Sequence, residues 1–326
     1  MNVQAILRKL RRELDWLTIV QLIVSLSIIS IFLILPVLLL IANSFYSGGT
    51  ITFKWFERVL TSREYISLEP LGGALFKVER TGAGVLLFIM EGYDYGIILN
   101  SILVALFVTL FASIIGLISA FIIARYDFPG KNIFRILILV PLLATPFVNA
   151  FVVGKVLGRQ GVLNFILHNI LGLPYTFIVG GLVGIVIIQA LSFFPIIYLN
   201  MLSSLINIDP SMEEQAENLG ARGFTLFRTI TFPLSLPGLA AGATIVFIFS
   251  LEDLGAPIAL KGAFADDLAG RVMSYRIYQN IISTQGGILK IDPTTYALSV
   301  IMLLFAAVGF VAIKKYVSLK TYAMLS

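Results

Sequence analysis

Ile97–Ala124 reads IILNSILVALFVTLFASIIGLISAFIIA, twenty-eight residues without a charge. As a helix rising 1.5 Å per residue it is about 42 Å long, more than the ~30 Å hydrocarbon layer of a bilayer. Buried helices of water-soluble domains rarely run that far without a charged residue. The stretch is therefore expected to cross a membrane, and it sets the class of the whole chain.

The rest of the sequence follows the same pattern. Leu17–Ala42, Ile136–Gly154, Phe177–Ile206 and Thr294–Ile313 are further long apolar runs. A sixth, Leu234–Leu251, continues past Glu252 and Asp253 into Leu254–Leu260. We expect an all-α integral membrane protein with six transmembrane helices. Composition agrees: 58% of residues are hydrophobic and 13% charged, against about 25% charged in soluble domains. Arg8, Lys9, Arg11 and Arg12 precede the first run, but its apolar part exceeds the ~7–15 residues of a cleaved signal, and no small-residue cleavage site follows. It reads as an anchor.

With the N-terminus placed inside, the inner segments hold Arg8, Lys9, Arg11, Arg12, Arg125, Lys131, Arg135, Arg222, Arg228, Lys314, Lys315 and Lys320. They carry seven acids, Glu13, Asp15, Asp127, Asp209, Glu213, Glu214 and Glu217. The whole formal excess of +5 then lies on the inner side, the bias expected of cytoplasmic segments. That placement explains the charge without a nucleic-acid partner. Both termini are expected in the cytoplasm, residues 1–16 as a basic segment and 317–326 as a tail. Residues 17–316 form one membrane domain with an external segment at 43–96 and a cytoplasmic loop at 207–233. There is no cysteine and a single histidine, His168, so neither a disulfide framework nor a His-cluster metal centre is expected. Pro36, Pro141, Pro146, Pro195 and Pro237 lie inside the spans, as ordinary shaping kinks or as hinges.

The loop after the fourth run is polar but helical in its signals: Asp209-Pro210-Ser211-Met212-Glu213-Glu214-Gln215-Ala216-Glu217-Asn218-Leu219-Gly220. Ser211 suits an N-cap, the acids suit the positive end of a short helix, and Gly220 suits a left-handed stop. A second short helix is expected over Arg222–Thr231, ending before Pro233. Such a helix–turn–helix either docks into a soluble partner or rests on the bilayer as an amphipathic surface element.

The spacing of Glu214-Gln215-Ala216, Gly220 and Ile230-Thr231-Phe232-Pro233 resembles the cytoplasmic signature of prokaryotic ABC importer permeases of the type I, binding-protein-dependent group. That signature has the form E-A-A, three residues, G, nine residues, I-x-L-P. Gln215 and Phe232 depart from it. Asn100-Ser101, Tyr126-Asp127-Phe128-Pro129-Gly130 and Gly158-Arg159-Gln160-Gly161 resemble the same group. The resemblance implies a coupling helix seated in a cleft of a separate ATPase. Glu214 would pair with a basic residue there, with Gln215 and Glu217 beside it. Ala216 would permit close approach, Gly220 would turn the chain, and Ile230 and Pro233 would close the motif. It implies two ATPase subunits, a second permease subunit, identical or homologous, and an extracytoplasmic binding protein, in the prokaryotic cell membrane. No G-x-x-x-x-G-K-[ST] phosphate loop occurs in the chain, so ATP and magnesium are expected on the partner ATPase, with no cofactor or enzymatic activity here.

Acids at membrane depth are costly and usually functional. Glu252 and Asp253 either lie at the outer interface, paired with Lys261, Arg271 or Arg276, or line a pathway. Asn149, Gln189 and Asn200 either line a path or hold helices together. Ser250-Leu251-Glu252-Asp253-Leu254-Gly255-Ala256-Pro257 resembles the ferric-iron, polyamine and thiamine permeases, a label that also extends to phosphonate carriers. An ion-gradient-driven secondary transporter is the alternative on composition alone.

Overall fold

The computed structural model describes residues 15–47, 49–80, 85–144, 146–264, 266–283 and 292–325, with the backbone alone described at residues 47, 146, 263, 264 and 316–325. The basic residues at 8–12 fall outside it. Among the described residues, six helices are long and apolar enough to cross a membrane: Trp16–Ser44, Ile97–Arg125, Phe147–Ile170, Gly181–Ile206, Phe224–Glu252 and Pro293–Lys315. We number them as spans 1 to 6.

Span 4 is the axis of the bundle. Ile185, Ile197, Tyr198 and Met201 on it are all at most 1% exposed, and spans 2 and 5 pack along it. In lipid there is little hydrophobic drive between helices, so close backbone approach and dispersion contacts must hold them. Small residues permit that approach. Ala112, Gly116 and Ala120 repeat every fourth residue on span 2 and are buried. A Cβ on Gly116 would sit 2.7 Å from Ile197 Cβ, and one on Gly238 of span 5 would sit 2.6 Å from the Asn200 carbonyl. Span 1 differs: no residue of Trp16–Ile29 is buried, and only its Leu35–Ser44 end packs against span 6.

Two expectations about span 3 and its flanks change. The run 136–154 is not one helix. It divides into Lys131–Leu143 and Pro146–Leu157, with Ala144 extended at ψ 145°. Pro146 lacks the N–H that a continuous helix would use there, and it opens the second helix instead, where that donor is not needed. The fourth run also starts late, because Tyr175–Val179 is a strand.

The loop after span 4 differs too. The N-cap of helix Pro210–Asn218 is Asp209, not Ser211. Its carboxylate accepts the Ser211 N–H, and Pro210 occupies the first turn, where a missing N–H costs nothing. Nor does Pro233 stop a helix. The chain is helical from Phe224 through to Glu252, with a π turn at Phe227–Thr231. The residue before the proline, Phe232, donates five residues back to Phe227. Ser30–Ile34 does the same ahead of Pro36, with Leu35 donating to Ser30. The wider turn makes room for the ring and keeps the helix continuous.

Among the described residues, the segment between spans 1 and 2 holds a short helix, Lys54–Thr61, and six strands. These are β1 (Tyr46–Ser47), β2 (Thr50–Ile51), β3 (Gly72–Ala74), β4 (Lys77–Arg80), β5 (Leu86–Met90) and β6 (Gly92–Asp94); Tyr175–Val179 is β7. β1–β2 and β3–β6 are antiparallel pairs. β5 lies between β4, antiparallel, and β7, parallel. Asn164 secures β7 by bonding both the carbonyl of Phe177, at 2.6 Å, and its N–H, at 2.8 Å. His168 bonds the Thr176 hydroxyl beside it.

This strand-bearing end is tied by a polar cluster. Asp94 accepts from Arg271 Nε at 2.8 Å, from Asn100 Nδ2 at 2.8 Å and from the Gly96 N–H at 2.9 Å. The adjacent Ser101 hydroxyl accepts the Met273 N–H at 2.7 Å. Asn100 and Ser101 thus join the start of span 2 to the Met273–Ile282 helix.

Gly116→Val should lower the melting temperature of the purified protein by the equivalent of about 1–3 kcal/mol. Valine at lipid-facing Ile118, 53% exposed, should leave it unchanged. A thermal-unfolding series in detergent measures both.

Candidate functional site

Helix Pro210–Asn218 lies at the end of the bundle opposite the strands. Its first turn is set by Asp209, whose carboxyl the Ser211 N–H holds below the usual aspartate range. Its last turn closes as a Schellman motif. The Ala221 N–H returns to the Ala216 carbonyl at 3.0 Å, and the Gly220 N–H to Glu217 at 2.9 Å. This requires Gly220 at φ 92°, and no other group lies near enough to crowd a side chain there. Its demand is on backbone conformation alone.

The helix has two faces. Glu214, Gln215 and Glu217 are exposed, and Leu219 beyond the last turn is 90% exposed. Ala216 faces the opposite way, 8% exposed: its small side chain lets the helix lie against the chain's own membrane helices. Ile230 and Pro233 are half-buried in the π turn and the start of the helix that follows it. The residue that holds this arrangement is not among those the sequence singles out. Glu213 Oε1 accepts from Arg125 Nη2 at 2.5 Å and from the Thr231 hydroxyl at 2.7 Å. Arg125 ends span 2, and Thr231 lies in the π turn. A charge-assisted bond of this kind contributes about 1.5–3 kcal/mol. The only hint in the sequence is a carboxylate three residues before Ala216 on one helical face.

The five membrane-depth residues do not form one site. Glu252 is exposed at the end of span 5. Asp253 is the C-cap of that span. Its carboxylate accepts the Gly255 and Ala256 N–H groups, both at 3.1 Å, and so starts the Gly255–Phe264 helix. The same carboxylate accepts from Gln189 Nε2 at 2.9 Å, and Gln189 Oε1 accepts the Ser250 hydroxyl at 2.6 Å. Gln189 and Asp253 are thus together, in a knot tying span 4 to span 5. The cations Lys261, Arg271 and Arg276 pair with Asp267, Asp94 and Glu64 instead. Asn149 stands apart, its amide donating to the Pro141 carbonyl at 2.7 Å across the break in the third run. Asn200 bonds its own helix at Ile196.

A cavity of about 610 Å³ opens at the strand-bearing end, lined among others by Glu91, Asp94, Arg159, Asp266 and Arg271. Gly154 and Gly158 leave it space. Burial, and then the repulsion of Asp266, push the Glu91 carboxyl above its usual range.

The family described as binding-protein-dependent transport system inner membrane component matches residues 112–318. A putative ferric transport system permease protein, FbpB 1 of Haemophilus influenzae, is 29% identical over 261 residues, 80% of this chain and 37% of that one. The molybdenum transport system permease protein ModB of the same organism is 35% identical over 155 residues, 48% of this chain and 65% of that one. ModB of Escherichia coli is 29% identical over 61% of this chain and 84% of its own. The chain thus spans little more than a third of the ferric relative. Among solved structures, a bacterial alginate ABC transporter in complex with a pentasaccharide-bound periplasmic protein aligns over 95% of this chain and 94% of that one. The TM-score is 0.65 at 18% identity, a likeness of fold.

Gly220→Ala forces a β-carbon into the left-handed region and should cost about 1–2 kcal/mol locally. Amide hydrogen exchange should quicken in residues 216–221 and leave span 4 unaltered. Glu91 gives a pH-dependent outcome. Its raised carboxyl penalises the folded state while ionised, so stability should recover as pH falls through its folded value. Glu91→Gln should therefore melt higher than the parent at pH ~7, and the difference should vanish below 4.5, the ordinary glutamate value.

Proposed function

Because the chain belongs to the family of binding-protein-dependent transport system inner membrane components, we propose that it is the membrane-spanning permease subunit of an ATP-driven importer. On this reading residues 17–316 are one transmembrane domain, and spans 2 to 6 build half of a translocation pathway. A second permease subunit supplies the other half. Helix Pro210–Asn218 is cytoplasmic and docks into a separate ATPase, with two such ATPases per assembly and an extracytoplasmic binding protein at the strand-bearing end. Both termini lie in the cytoplasm, on the side that carries the excess of positive charge.

The observation that carries this reading is the two-faced helix. Its inner face is held by Glu213 and Ala216, so Glu214, Gln215 and Glu217 project away from the membrane helices on a preformed, capped element. A helix merely resting on a bilayer would turn a continuous apolar face outward, whereas the exposed side of this one carries two carboxylates and an amide, with Met212 and, beyond the last turn, Leu219 as its apolar members. Preorganisation of that kind lowers the entropic cost of binding a partner. Glu214 suits a basic residue in the partner's cleft, and Gly220 keeps the exit of the helix compact.

Nothing specific favours transport driven by an ion gradient. ATP and magnesium belong to the partner, since the chain has no phosphate-binding loop. For the cargo we propose a small solute delivered by the binding protein. Ferric iron leads the set of ferric iron, polyamine, thiamine and phosphonate, because ferric transport permeases stand among the relatives. Gln189 and Asp253, joined where spans 4 and 5 meet, are the polar pair we assign to the wall of the path. Glu252 and Asn149 are the weaker members of that set, since they lie apart from the knot.

Glu214→Lys should abolish co-purification of the co-expressed ATPase, while the permease still folds and inserts. Retention of a stoichiometric ATPase by that variant would overturn the docking assignment. Calorimetric titration of the neighbouring binding protein with ferric iron and with the other three classes identifies the cargo.

A further inference from the structure

Glu213 occupies a position that docking alone does not require. It faces away from the exposed side of helix Pro210–Asn218, and its side chain is 14% exposed. One oxygen, Oε1, receives both Arg125 and Thr231. These two partners sit on different rods. Arg125 is the last residue of span 2. Thr231 is 2% exposed and lies in the π turn that leads without a break into span 5.

The covalent links of the same helix are loose by comparison. Asn207–Asp209 precede it. Gly220 at φ 92° and Gly223 at φ 53° follow it. Gly220 is held by the hydrogen-bonded turn that ends the helix, but no side chain packs around either glycine, since a β-carbon placed on either one would meet nothing within 4 Å. A push on the helix would be absorbed by rotation at these glycines unless another contact resisted it. Ala216 rests against the bundle, and Glu213 supplies the directional tie.

The far ends of both rods are also fastened. Span 2 begins at Asn100 and Ser101, bonded to Asp94, Arg271 and Met273. Span 5 ends at Ser250 and Asp253, bonded to Gln189 of span 4. A helix of 29 residues, the length of span 2, reaches about 44 Å. A displacement entering at Glu213 therefore has a stiff route to the strand-bearing end.

We propose that Glu213 is a latch: through Arg125 and Thr231 it makes the docking helix move as one body with spans 2 and 5. It passes movement of the docked ATPase to the far side of the membrane. Glu213 is a positioning residue and touches neither nucleotide nor cargo. The inference rests on the reading that Pro210–Asn218 docks an ATPase, and the test separates the two.

The chain contains no cysteine, so a single Tyr93→Cys at the strand-bearing end, 44% exposed, takes one spin label. The full complex of permease, co-expressed ATPase and binding protein is reconstituted in lipid vesicles. The label spectrum is recorded before and after trapping with ATP and vanadate. Five backgrounds are compared: parent, Glu213→Arg, Arg125→Glu, the charge-swapped pair, and Thr231→Val.

The latch predicts that both single reversals still co-purify with the ATPase but lose at least four-fifths of the spectral change, and that the swapped pair recovers most of it. Thr231→Val, which removes one of the two donors and keeps the charge pair, should give an intermediate loss. A parent-like spectral change in the single reversals overturns the latch. So does a swapped pair no better than the singles, or a loss of the ATPase from the singles that the swap does not reverse. Failure of the parent permease itself to retain an ATPase overturns the docking reading instead.

Discussion

Close approach of helix backbones is the constraint on which the bundle depends. Spans 2 and 5 meet span 4 where side chains are missing, at Gly116, Gly238 and Gly242, and where they are small, at Ala112 and Ala120. In water an apolar face would drive such packing. In lipid the tails compete equally well, and only tight contact and polar ties distinguish a partner helix from a lipid. The structure uses both devices along the same helices. Tight contact occupies the middle of the spans, and polar ties occupy the ends: Gln189 with Ser250 and Asp253 at one end, Glu213 with Arg125 and Thr231 at the other.

Buried polar groups in such ties are expensive unless fully partnered. Asp94 shows the solution most clearly. Its two oxygens receive a guanidinium, a side-chain amide and a backbone N–H. The charges are therefore confined to places where several donors converge. The same economy explains why Asp253 serves at once as a helix cap and as a partner for Gln189.

The spans and the polar loop after span 4 were legible in the sequence because their signals are local. Twenty-eight uncharged residues after Gly96 leave few choices, and Gly220 takes the left-handed conformation its position called for. What was not legible depends on distant partners or on competition between neighbours. Glu213 looks like one more acid beside Glu214 until span 2 brings Arg125 to it. Ser211 and Asp209 are both good caps, and Pro210 decides between them by favouring the first helical turn. Pro233 resembles a stop, and only the π turn before it allows the helix to continue. Pro146 did break its run, though a proline inside a membrane helix usually bends it. The strands between spans 1 and 2 are two to five residues long, too short for an alternating pattern to stand out.

The parallel pairing of β5 with β7 bears on the order in which the chain is assembled. Leu86–Met90 emerges from the ribosome long before Tyr175–Val179, and all of spans 2 and 3 must be threaded between them. Until the second strand returns, one edge of a hydrophobic strand, Leu-Leu-Phe-Ile-Met, has no neighbour. Its other edge is covered early by β4, whose Lys77, Glu79 and Arg80 make that side of the ribbon charged. Closure of the sheet therefore requires spans 2 and 3 to return Tyr175–Val179 to the same end of the bundle as Leu86–Met90.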